Sequence, residues 1–293
     1  MPKTRDRAYW PLHSIEEDDM RSVKGMNAVV TGAGSGIGRE LAIQLSRLGA
    51  AVIVTDIDKN GLDETCSIIK KNGGDCFPYL FDVSDRKKVY AFADEALKKH
   101  GHIDILINNA GKSMHGWIED LTYESFELIM AINFWGVVYC TKAFLPHLLT
   151  RPHAHIVNLS SVYGILSIPS KSVYSITKFA VRAFSEALRQ ELYGTNVKVS
   201  CVHPGGVKTG NIRNRRWDLK PNETRNIDEE EKHFHQAART SAVDAAAGII
   251  KGMMRGRPRI LIGADAKLIS MVSRLMPARY DWFVRKVVFP KIK

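Results

Sequence analysis

The chain has 293 residues, of which 45% are hydrophobic, 25% charged and 9% aromatic. That length and apolar content can bury a sizeable core, which excludes a disordered polymer and a small disulfide scaffold. The net charge of +11 is concentrated at one end, because eleven Lys or Arg between Lys251 and Lys293 face only Asp265 and Asp281. The body is therefore close to neutral, and no nucleic-acid recognition motif accompanies the basic end.

Residues 1–24 form a polar N-terminal extension without the apolar run of a secretory signal, and no segment reaches 18 uncharged apolar residues. A cytoplasmic protein is the expectation. The four cysteines, Cys66, Cys76, Cys140 and Cys201, show no metal-ligand spacing and sit among apolar neighbours, so buried free thiols are expected.

The first β-branched run, 26–31, ends at Thr31 and passes into Gly32-Ala33-Gly34-Ser35-Gly36-Ile37-Gly38. A helical pattern over 36–48 begins at once. Glycines between a strand and a helix permit a tight turn and bring backbone close to a pyrophosphate, and the helix N-terminus supplies free N–H groups. Gly32, Ser35, Gly36, Ile37 and Gly38 are thus candidate cofactor contacts. The spacing differs from the usual dehydrogenase fingerprint.

A second strand, 51–55, leads to Asp56, where an acidic side chain can accept hydrogen bonds from ribose hydroxyls and repel a 2′-phosphate. Asp56 favours NAD over NADP. Arg39 and Lys59 stand near enough in sequence to moderate that preference, and Asp56 or Asp58 could equally cap the next helix, 59–72.

Strands over 76–81, 103–108, 155–160, 197–203 and 259–263 then alternate with helices over 84–100, 122–149, 172–193 and 243–254. Strands and helices of these lengths imply an α/β, Rossmann-type, doubly wound parallel sheet of about seven strands. One catalytic domain over 25–265 accounts for the pattern. Residues 206–240 interrupt it and read as a substrate loop or lid. The tail, 266–293, mixes Lys and Arg with apolar and aromatic residues broken by Pro277 and Pro290, which suits either an anionic membrane surface or packing over the pocket.

Polar residues collect where the strands end. Asn108-Asn109-Ala110-Gly111 closes the fourth, Ser160-Ser161 the fifth, and Pro204-Gly205-Gly206-Val207-Lys208-Thr209 the sixth, while Asn133 lies in the helix over 122–149. Tyr174 and Lys178 are four residues apart at the start of a helix and so share a face. A nearby ammonium favours the phenolate and pulls the Tyr pKa down from about 10, which makes a usable acid/base.

Taken together, TGAGSGIG, NNAG, the helix Asn, the strand-end Ser, YxxxK and the PG turn resemble the short-chain dehydrogenase/reductase (SDR) family over about 25–263. The resemblance implies a nicotinamide-dependent oxidoreductase in which a hydride passes between cofactor and a secondary alcohol or ketone, without a metal. It implies Tyr174 as general acid/base, Lys178 on the nicotinamide ribose, Ser161 (thirteen residues before Tyr174) on the substrate oxygen and Asn133 on a relay water. Asp82 and Val83 would meet the adenine, and Asn109, Ala110 and Gly111 the adenosine side. Pro204, Gly205, Val207 and Thr209 would border the nicotinamide. A homodimer or homotetramer and a lipophilic substrate follow from the same analogy.

The alternative is a dinucleotide-binding, membrane-surface or scaffold protein without turnover. Other features carry less. His233 and His235 lack a third ligand, Phe134 and Trp135 read as packing residues, and His203 reads as a core residue. His115 and Trp117 are candidates for the edge of the substrate site.

Overall fold

The computed structural model describes residues 20, 22–209, 216–217 and 238–283. Most of the N-terminal extension, most of the 206–240 loop with His233 and His235, and the end of the tail lie outside the described residues.

Seven strands form one parallel sheet: β1 (Asn27–Thr31), β2 (Ala51–Asp56), β3 (Cys76–Leu80), β4 (Ile105–Asn108), β5 (Ala154–Leu159), β6 (Val197–Pro204) and β7 (Arg259–Ile262). Their spatial order is β3-β2-β1-β4-β5-β6-β7, with every pair parallel. Successive residues of a strand face opposite sides. Val30, Val54 and Ile107 therefore face one layer of helices while Val29, Ile53 and Leu106 face the other. The first layer is α1 (Gly36–Arg47), α2 (Lys59–Lys71) and α6 (Ala242–Met254); the second is α3 (Arg86–His100), α4 (Tyr123–Leu148) and α5 (Ser172–Glu191). Both faces are covered, which is why the strands read as continuous apolar runs.

The order reverses between β1 and β4, and the crevice outside their carboxyl ends is where open sheets of this kind take ligands. Two short strand pairs lie outside the sheet. Val207–Lys208 pairs with Thr240–Ser241, and Met114–His115 pairs with Arg216–Trp217.

Three features depart from the reading of the sequence. First, α4 has 26 residues and is apolar enough by composition to cross a bilayer, yet Cys140, Phe144 and Leu148 on it are fully buried against the sheet and α3. A single π-helical turn, Ala131–Trp135, interrupts it. Second, Cys66 and Cys76 are not free: they form a disulfide joining α2 to β3 across a Cα separation of 5.4 Å. Their sequence spacing carries no sign of this, because it arises from how α2 packs beside β3. Cys140 and Cys201 are free and buried. Third, the tail opens with a helix, α7 (Ala264–Leu275), followed by a short turn of helix, α8 (Tyr280–Phe283). Pro277 falls in the break between them. Ile269 and Tyr280 pack on Leu166 and Ile168 together with Tyr163.

Candidate active site

The glycine turn is built by its neighbours. Gly32 has φ +67° and Gly36 φ +55°, conformations open to glycine. Asn109 donates from Nδ2 to the carbonyls of Thr31 and Gly32, each at 2.9 Å. Thr31 Oγ1 in turn accepts the Asn109 and Ala110 N–H groups at 3.1 and 3.0 Å. The NNAG segment thus clamps the turn, and the Asn109 amide is engaged there. Gly38 serves packing: a Cβ on it would lie 2.0 Å from the Gly32 carbonyl oxygen.

Asp56 ends β2 and accepts the Gly34 N–H at 2.8 Å through one carboxylate oxygen; the other takes the N–H groups of Ile57 and Asp58 at 2.8 and 3.0 Å. Asp58, not Asp56, caps α2 by accepting from the Asn60 N–H. The nearby cations are already engaged: Arg39 pairs with Glu64 at 2.7 Å and donates to the Gly34 carbonyl, while Lys59 pairs with Asp63.

A cleft of about 470 Å³ opens at the crossover. Gly32, Ser35, Gly36, Ile37, Asp56, Asp82, Val83, Asn109, Ala110, Gly111 and Thr209, all put forward by the sequence, line it. Ser35, Gly36 and Ile37 present the first turn of α1, whose N–H groups have no helical partner and whose dipole favours an anion. A closely approached backbone, a helix N-terminus and an acidic residue at the end of β2 fit a dinucleotide. Thr209 reaches the same turn, since a Cβ on Gly36 would lie 3.2 Å from its methyl.

Gly38, Tyr174, Lys178, Pro204, Gly205 and Val207 are not among the residues lining this cleft. The Val207 side chain is buried in the core, which leaves only its backbone for a ligand. Pro204 closes β6, and Gly205 donates its N–H to the Ile262 carbonyl at 2.9 Å. Asp265, at the start of α7, accepts the Gly206 N–H at 2.6 Å. A Cβ on Gly205 would strike that carboxylate.

The cleft ends at Gly111 and Lys112, and there the remaining candidates begin. A Cβ on Gly111 would lie 3.2 Å from Asn133 Oδ1 and 3.3 Å from Lys178 Nζ, so both polar groups converge on that glycine. Asn133 sits in the π turn of α4, fully buried. Its Oδ1 accepts the Lys112 N–H at 2.7 Å, and its Nδ2 donates to the Lys112 carbonyl at 3.0 Å and to Thr177 Oγ1 at 3.1 Å. Lys178 donates to the Leu159 carbonyl at 2.9 Å, and its Nζ lies 5.6 Å from the centre of the Tyr174 ring. Burial pulls the Lys178 ammonium down to about 8.

The two serines at the end of β5 separate clearly. Ser160 Oγ donates to the Lys178 carbonyl at 2.8 Å and holds α5 in place. Ser161 begins a 3₁₀ turn, its Oγ accepting the Tyr163 N–H at 3.2 Å, and its carbonyl accepts from His203 Nδ1 at 2.9 Å. Tyr163 meets Tyr174 edge-on, with ring centres 6.0 Å apart. The Tyr174 ring and the buried Lys178 ammonium thus lie side by side, with Lys178 Nζ reaching Gly111 at the edge of the cleft, and such a pair is able to exchange a proton with an alcohol or carbonyl oxygen.

Residues 26–220 match the family described as short chain dehydrogenase. The chain belongs to the short-chain dehydrogenase family. Over 272 residues this short-chain dehydrogenase is 39% identical to the oxidoreductase SadH of Mycobacterium tuberculosis, covering 90% of this chain and 96% of the relative. It is 30% identical to estradiol 17-beta-dehydrogenase 11 of Mus musculus, over 89% and 83% of the two chains. Among solved structures it is similar to a short-chain dehydrogenase/reductase from Burkholderia phymatum in complex with NAD. That likeness has a TM-score of 0.80 and 29% identity, covering 88% of this chain and 96% of the other.

Sequence reasoning missed several residues that shape this site. Thr31, Lys112 and Thr177 each hold a named site residue through a bond to a distant part of the chain, and Asp265 holds Gly206, between the site residues Gly205 and Val207. A local motif carries no signal for such bonds. The acidic residue just after the last strand was the one available hint for Asp265.

Proposed function

We propose that this short-chain dehydrogenase oxidises a lipophilic secondary alcohol, or reduces the matching ketone, with NAD in preference to NADP. The observation that carries the reading is the Tyr174 ring beside the buried Lys178 ammonium at 5.6 Å, where the cleft ends. When bound, the nicotinamide supplies the hydride acceptor or donor. Tyr174 takes the hydroxyl proton in oxidation and returns it in reduction. Lys178 favours the phenolate and would hold the nicotinamide ribose. Ser161 steadies charge developing on the substrate oxygen. Asn133, whose side-chain amide is engaged by Lys112 and Thr177, would hold a water in a proton relay toward Lys178.

Support for NAD comes from Asp56 and from the pairing of Arg39 and Lys59 with carboxylates, which leaves a 2′-phosphate poorly served. The NAD complex of the Burkholderia relative points the same way. Support for an apolar substrate comes from the apolar cluster of Leu166, Ile168, Ile269 and Tyr280, which packs on Tyr163, itself edge-on to Tyr174. The name of the mouse relative, a steroid dehydrogenase, agrees with it.

A panel of sterols, long-chain alcohols, diketones and short alcohols, followed at nicotinamide absorbance with both cofactors, tests the proposal. NAD should give the higher kcat/KM, and Tyr174→Phe should lower kcat by roughly 100-fold or more while leaving NAD affinity intact. Undiminished turnover in Tyr174→Phe would refute the acid/base role.

A peripheral membrane contact is a second reading. Leu268, Met271, Leu275 and Trp282 are 45–75% exposed on the tail, with Lys267, Arg274 and Arg279 beside them in sequence. Such a surface suits anionic lipid. Sedimentation with anionic vesicles should fall in a Leu268→Ser, Met271→Ser, Leu275→Ser variant; equal sedimentation would dismiss the lipid contact. Assembly through α4 and α5, whose Trp135, Ile176 and Phe179 are exposed, is expected to give a dimer or tetramer by light scattering.

A further inference from the structure

Tyr174 has a second lysine beside it that the mechanism does not yet use. Lys171 is the residue immediately before α5 and is 4% exposed. Its Nζ lies 5.5 Å from the centre of the Tyr174 ring and 5.8 Å from that of Tyr163. The first distance equals, within 0.1 Å, the 5.6 Å that separates Lys178 from the same ring. Lys171 also donates to Ser113 Oγ at 3.1 Å and to the Met114 carbonyl at 3.4 Å, on the segment that follows NNAG.

The backbone is bent to put the lysine there. Among the described non-glycine residues only Ser170 has a left-handed φ, +60°. Its carbonyl accepts the Gly116 N–H at 3.1 Å, which ties the loop before α5 to the segment carrying Ser113 and Met114. Residues held in sparsely populated conformations gather at functional sites, where the surrounding structure imposes them.

We propose that Lys171 is a positioning residue for proton transfer: a second buried positive charge that acts with Lys178 to hold Tyr174 toward its phenolate form. The inference rests on Tyr174 being the proton-transfer group. Two ammonium groups at similar range stabilise a phenolate more than one, and the effect grows where water is excluded. Among the described residues, the other titratable groups on the elements packed around this end of α5 are the Tyr163 phenol, the His115 imidazole, His203 behind Ser161, and Tyr123, Glu124 and Glu127 on the first part of α4, whose Ile129 packs on Val173. Glu119 and Asp120 follow on the loop after His115, and Lys112 precedes Ser113. Of the cations among these, Lys171 and Lys178 are the two placed over the Tyr174 ring.

The test is a spectroscopic titration of the full chain with NAD present, reading tyrosinate absorbance as the difference between each protein and its Tyr174→Phe counterpart. Lys171→Met and Lys171→Gln should raise the Tyr174 midpoint by about one pH unit or more, and Lys171→Arg should restore it. The acid limb of kcat/KM for the best alcohol of the panel should move by the same amount. An unmoved midpoint in both neutral variants overturns the proposal. A shift in Lys171→Arg as large as in Lys171→Met overturns it too, since charge would then be irrelevant. Failure of both neutral variants to fold while Lys171→Arg folds would assign the residue to the scaffold alone. Full turnover in Tyr174→Phe would instead sink the acid/base reading, which the titration does not measure.

Discussion

His203 and His155 show how burial sets the chemistry of single residues. Both are almost wholly inaccessible, and burial lowers His203 to about 4 and His155 to about 3. Each stays neutral in the fold and titrates near 6.5 once unfolded. The folded pKa is the lower one, so the stability they support is fully present above about 6.5. It is lost as pH falls toward 4 for His203 and 3 for His155. Between pH 6 and 4 the unfolded chain binds about two more protons, and stability should drop by roughly 2–3 kcal/mol per pH unit from these two groups. Denaturant melts at pH 7, 6 and 5 check this, and His155→Gln should flatten the slope. A slope that His155→Gln leaves unchanged would contradict it. At this scale the sequence was legible where a motif has a fixed spacing. Ser161 stands thirteen residues before Tyr174, the spacing on which the family resemblance puts it forward, while its neighbour Ser160 gives its hydroxyl to the Lys178 carbonyl. What stayed hidden were bonds between distant residues, such as the buried chain from Asn108 through Asn158 to Ser185, linked at 2.8 and 3.0 Å.

At the scale of elements, the seven strands lie within a residue or two of their β-branched runs, because a strand buried on both faces must be apolar throughout. The glycine turn was equally visible, and it yields a sharp expectation. Gly38→Ala would push a methyl to 2.0 Å from the Gly32 carbonyl and 2.4 Å from Asn109 Nδ2. Neither atom can yield easily, since Asn109 clamps the turn. The substitution should cost about 1–3 kcal/mol or more and weaken NAD binding beyond its effect on stability. Calorimetry with and without NAD checks both; wild-type affinity in Gly38→Ala would show that the turn has slack. The π turn of α4 was not legible, because its apolar pattern runs unbroken through Ala131–Trp135. Nor were the two-residue pairs flanking the site, which are too short to carry a period. α7 is hidden in the sequence because its apolar residues lie in a basic stretch broken by Pro277.

For the whole molecule, the disulfide between Cys66 and Cys76 was the clearest surprise. It closes a loop of sequence separation 10, which by chain entropy stabilises the fold by about 2–3 kcal/mol. Reduction should lower the melting temperature by roughly 5–10 °C, and a Cys66→Ser, Cys76→Ser variant should no longer respond to reductant. Identical melting with and without reductant would show that the link adds nothing. The uneven charge belongs to this scale as well, since +9 of the +11 falls in the last 43 residues. Part of that stretch is now placed, as α7 and α8 packed beside Tyr163.

Asp265 stands at the root of that C-terminal arm and also grips the Gly206 N–H beyond β6. One carboxylate therefore serves two masters, the arm and the loop that runs on to Thr209. Whatever tugs on the arm should loosen or tighten the enzyme's hold on its dinucleotide, so that cofactor affinity becomes a gauge of what the arm is touching.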